Sequence, residues 1–113
     1  MIVNHAHSHH PSRAVFYRSI VDWSRVDAMV SRLPLDQRPE VLELVMSCLD
    51  HAVMECVFHR LDVDRHHTFL VLCQDRYHDE GLLEWLKQHI DDIESELSSI
   101  IDRTKTQIDQ VLE

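Results

Sequence analysis

A single glycine and three prolines serve the whole 113-residue chain. So few residues suited to tight turns leave little means of building hairpins, which argues against an all-β fold. A glycine-rich phosphate loop is excluded, and with it the enzymes that cradle nucleotides that way. Positive charge is also scarce: eleven Lys and Arg stand against twenty Asp and Glu, a formal net charge of −9. The deficit lies in the second half. Residues 1–60 carry seven acids and six bases, whereas residues 61–113 carry thirteen and five. Such a surface repels a phosphate backbone, so direct nucleic-acid binding is not expected. No apolar run approaches the ~20 residues of a membrane span, so no membrane association is expected either. Cys48, Cys56 and Cys73 form an odd set without a CxxC pair. They read as free thiols in a reducing compartment. The opening Met1-Ile2-Val3-Asn4 lacks the basic and apolar regions of a secretory leader. The expected location is cytoplasmic.

What is present is the material of a helical fold. Hydrophobic residues make up 44% and charged residues 27%, a balance suited to one folded domain. Residues 1–10 read as a flexible tail rich in histidine, with His5, His7, His9 and His10. Residues 11–113 read as a single all-α domain, a bundle of four to five helices ending in a long C-terminal helix.

The element boundaries follow from local chemistry. Pro11 to Val21 is predicted as a short helix or an irregular apolar arm. A second helix spans about 24–33, with Ser24 and Asp27 as a capping box, Trp23 stapled onto Ala28, and Pro34 as the stop. The third runs from about 37 to 60. Asp36 is placed to cap it, Pro39 fits its first turn and Glu40 favours its positive end. Steps of three and four from Val41 to Leu61 give it a wide apolar face. Residues 67–77 are predicted as a short, largely buried helix. Asp79 then starts a last helix over 82–111, which contains no proline or glycine after Gly81.

That last helix carries a heptad-like stripe through Leu83, Leu86, Ile90, Ile93, Leu97, Ile100, Ile101, Thr104, Ile108 and Val111. At 1.5 Å per residue it would be about 45 Å long. A globule of this size is only about 35 Å across. The overhanging stripe, Leu97, Ile100, Ile101, Thr104, Ile108 and Val111, is therefore predicted to dimerise with a second copy. An antiparallel pairing, or a four-helix arrangement from two helical hairpins, would bring the acidic 91–96 region near Arg103 and Lys105.

Chemistry-bearing constellations are few. His51, Glu55 and His59 share one helix face at i, i+4, i+8 and form the candidate metal ladder. Neither HExxH nor a Glu-x-x-His pair occurs, and no cofactor is predicted. An alternative cluster groups His59, Asp62, His66 and His67. Cys48 and Cys56 fall on the apolar stripe and read as inert core thiols. Asp75, His78 and Asp79 lie close in sequence without a nucleophile or pocket. The 37–60 helix exposes Glu40, Glu43, Asp50 and Glu55, the wrong sign for a nucleic-acid recognition helix.

The reading is a non-catalytic, acidic, helical interaction or regulatory module acting as a homodimer. Tyr77, Glu84, Trp85, Asp91 and Asp92 are its candidate contacts with another protein. Imitation of nucleic acid to inhibit a basic protein is one alternative. Metal binding by His51, Glu55 and His59 is the other.

Overall fold

The computed structural model describes residues 15–112. The histidine tail and Pro11 to Ala14 lie outside those residues. The described chain is all-helical, with five α-helices: α1 (Trp23–Ser31), α2 (Arg38–Arg60), α3 (His66–Arg76), α4 (Gly81–His89) and α5 (Ile93–Leu112). Short 3-10 turns occupy Arg18–Ile20 and Val63–Arg65.

Of the two forms expected for Pro11 to Val21, a short helix or an irregular apolar arm, the described residues 15–22 take the irregular one, apart from a 3-10 turn. Its side chains explain why. Val15, Phe16 and Tyr17 are consecutive and all buried, a pattern that one stripe of a surface helix cannot satisfy. The strand-like backbone at Val21 then leads to Asp22, whose carboxylate accepts from the Arg25 amide and caps α1. The cap is therefore Asp22 and not Ser24. Trp23 is the first helical residue, and its indole Nε1 donates to the carbonyl of Arg18 at 3.0 Å.

α2 is the central helix. Pro39 lies in its first turn, where no amide partner is lost, and Glu40 sits at the positive end. Its N-cap is Gln37 without a side-chain bond, so Asp36 does not cap it. Val45, Leu49, Val53, Cys56 and Val57 are buried. α5 lies antiparallel along α2, fastened at both ends. Arg60 pairs with Glu96 where α2 ends and α5 begins. At the far end of α5, Asp109 pairs with Arg32 just after α1.

Aromatic rings hold the other side of α2. Phe69 is the buried residue of α3. It packs edge-on to Phe58 and Phe16 and is stacked on Trp85 of α4, 6.3 Å between centroids. The ambiguous segment TFLVLCQDRY is thus helical, as expected, but less buried than expected: Leu70 and Val71 are exposed. Asp50 is not a free surface acid. It accepts the hydroxyls of both Tyr17 and Tyr77.

The continuous 82–111 helix is corrected to two. Ile90 is extended and Asp92 takes φ 57°, which ends α4 and restarts the chain as α5 at an angle. Aspartate is among the few residues with a side chain short enough to enter the left-handed region without glycine. Arg60 donates to the carbonyl of Asp91 at 3.3 Å, and Lys87 bridges Glu84 and Glu94 at 3.3 Å each across the joint. With the break, α5 has 20 residues and a length of about 30 Å. The protein measures 45 × 37 × 20 Å. The helix does not outrun its own globule, and the expected overhang is absent. Its heptad stripe divides accordingly: Ile93, Leu97 and Ile101 are in the chain's own core.

Candidate functional site

The antiparallel α2 and α5 leave an open groove of about 1060 Å³ between them. The helices touch along Val45, Cys56, Leu97 and Ile101, all buried. Above that contact the two helices splay, as cylinders must, and their next rows of side chains form the walls. From α2 come Val41, Leu44, Cys48, Ala52 and, on the rim, His51, Glu55 and His59. From α5 come Ile100, Thr104, Ile108, Val111 and Leu112, with Glu96, Arg103 and Gln107 on the rim. Leu44 is 61% and Val111 82% exposed. Val41, Ile100, Ile108 and Leu112 are half-buried. An apolar strip of this kind, flanked by polar rims, marks an interaction surface more often than an ordinary solvated face.

The electrostatics of the groove are uneven. Among the described residues, no charged side chain lines the end around Val41, Leu44, Val111 and Leu112. The other end holds Glu55 and Glu96. The Cys56 thiol donates to Oε2 of Glu96 at 3.6 Å from the groove floor. Burial raises the Cys56 thiol above its usual pKa, with Arg60 pulling the other way. Cys73 is likewise raised by burial. Cys48 differs from the expectation of an inert core thiol: it is exposed in the groove.

Of the six residues expected at a self-association seam, Leu97 and Ile101 are fully buried within the chain and cannot reach a partner. Ile100, Thr104, Ile108 and Val111 do line one open surface. The α2 half of that surface, Val41, Leu44 and Cys48, was missed. Its signal was in the sequence, because the apolar face of α2 is wider than one packing partner needs.

The structure scatters the expected partner contacts. Tyr77 is half-buried and donates to Oδ1 of Asp50 at 2.7 Å. Trp85 is packed between Phe69 and His89. Glu84 is exposed and paired with Lys87. Asp91 and Asp92 lie at the α4–α5 joint, where they line a shallow polar depression with Ser19, Lys87 and Glu94.

The metal ladder is only partly assembled. Nε2 of His51 lies 4.0 Å from Oε2 of Glu55, with both side chains exposed. Among the described residues no group of three or more His, Cys, Asp or Glu is placed to hold a metal ion, which applies equally to His59, Asp62, His66 and His67. Asp75, at the end of α3, and His78 and Asp79, just after it, are exposed. Asp79 acts locally, accepting from the Gly81 amide at 2.8 Å at the start of α4. No helix among the described residues is long and apolar enough to cross a membrane.

No protein-family model, no curated protein and no solved structure matches this chain.

Proposed function

We propose that the chain is a non-catalytic interaction module that works as a homodimer, with the α2–α5 groove covered by the same groove of a second copy. The observation that carries this reading is the apolar groove itself, with Leu44 and Val111 mostly exposed at one end and Ile100 and Ile108 half-exposed along it. Fully burying a side chain of this size is worth about 1.5–3 kcal/mol.

Two features favour a second copy as the occupant. First, α2 and α5 are antiparallel and of similar length, 23 and 20 residues. Two such antiparallel pairs can stack face to face as a four-helix arrangement. Second, the charged rim of α5 is self-complementary. Arg103 and Glu96 share one side of α5, two turns apart. His51 and Glu55 share one side of α2, one turn apart. Because Glu96 lies beside Cys56 and Arg60, the midpoints of these two pairs fall at nearly the same level along the hairpin. A single two-fold axis crossing the helices at that level sets Arg103 against the partner's Glu96. It also sets His51 against the partner's Glu55. Such an isologous contact is what a two-fold dimer requires.

Light scattering on the full chain tests the reading. Twice the chain mass of 13.4 kDa is expected at micromolar concentration. Leu44→Asp, which changes an exposed residue, should return the mass to one chain while leaving the helical circular dichroism unchanged. A wild-type protein of single-chain mass overturns it.

A further inference from the structure

We propose that the homodimer binds one divalent transition-metal ion, zinc foremost, at its two-fold axis, held by His51 and Glu55 of both copies. The inference rests on the groove-to-groove dimer and adds a ligand to it.

His51 and Glu55 form half of a metal site. They stand one turn apart on the same face of α2, with Nε2 and Oε2 separated by 4.0 Å. Neighbouring ligands of a tetrahedral zinc ion, each about 2.1 Å from the metal, are about 3.4 Å apart. A small side-chain adjustment closes that difference. The side chains are 80% and 77% exposed, so the fold makes no other use of them and nothing in the core resists the adjustment. Two ligands are too few for a stable site, and the described residues of one chain supply no third. The site is incomplete without a second copy.

The axis that satisfies Arg103 and Glu96 also passes between His51 and Glu55. It therefore brings two imidazoles and two carboxylates together at one point. That set is suited to zinc, and to copper or nickel as substitutes, rather than to calcium or magnesium, which prefer oxygen alone. Charge argues in the same direction. Two Glu55 carboxylates meeting at an interface repel one another, and a divalent cation neutralises them.

The histidine tail would obscure zinc binding, so the test uses the full chain with His5, His7, His9 and His10 replaced by Asn. Calorimetric titration with zinc chloride is combined with light scattering, and cobalt is substituted to read geometry. The expected result is one zinc per two chains, an intense visible cobalt band of tetrahedral type, and loss of both in His51→Ala and in Glu55→Gln. A protein that dimerises but binds no zinc, or binds it at one ion per chain, overturns the metal site while leaving the dimer reading intact. A protein that stays monomeric with and without zinc overturns both. A monomer that becomes a dimer only on addition of zinc supports the site and overturns the reading that the groove alone holds the two copies together.

Discussion

The hydroxyl of Tyr77 donates to Oδ1 of Asp50 over 2.7 Å, and the same oxygen accepts from Tyr17. One carboxylate on α2 thus fastens both the irregular N-terminal segment and the end of α3. Burial comes first among the causes that raise the pKa of each tyrosine, followed by the hydrogen bond to Asp50.

The tyrosine pair sets an alkaline limit on stability. A native tyrosine with a raised pKa holds its proton where the unfolded one, near 10.0, has lost it. Stability from the pair is complete below pH 10 and falls as pH rises beyond it. These are the only two tyrosines in the chain. Tyrosinate absorbance is therefore expected to rise together with the loss of helix, not ahead of it. Tyr17→Phe should cost about 1–3 kcal/mol at neutral pH in denaturant unfolding.

Lys105 is expected to be a liability. Its side chain is fully buried, and among the described residues Nζ has no hydrogen-bond partner, only Asp102 at 3.7 Å. Burial lowers its pKa, with Asp102 and Asp22 opposing. A lysine depressed in the native state destabilises the fold while it must carry charge, and the deficit shrinks as pH rises towards 10.5. Lys105→Met should therefore stabilise the protein by about 1–3 kcal/mol at neutral pH. The gain should narrow in alkaline buffer, as read from denaturant midpoints.

The joint at Asp92 separates glycine from every other replacement. Its φ of 57° suits glycine best. Asp92→Gly should leave stability unchanged or raise it slightly, whereas Asp92→Val should lower it by about 1–2 kcal/mol. Thermal unfolding of the two variants beside the wild type checks this.

The helical class and most boundaries were legible in the residues. α1 ends two residues before its predicted end and α2 begins one residue after its predicted start, because Pro34 stops the first and Pro39 fits the first turn of the second. The break between α4 and α5 was not legible. Asp91-Asp92 carries no glycine or proline, and the stripe through Leu86, Ile90, Ile93 and Leu97 keeps its spacing across the joint. Spacing alone also cannot say whose core a stripe joins: Leu97 and Ile101 face α2 of their own chain, whereas Ile100 and Val111, a fraction of a turn away, face outward. Asp50 was misjudged for a related reason, since its two tyrosine partners lie 33 and 27 residues away.

Alkylation of Cys48 at increasing protein concentration tests the covered groove most directly, because this thiol is exposed in one chain and lies within the surface a second copy would shield. Read by mass spectrometry beside the buried Cys56, its labelling should slow as the dimer forms, and it should stay fast at every concentration in Leu44→Asp. Cys48 labelling at one unchanging rate in the wild type, whatever the concentration, would contradict the account.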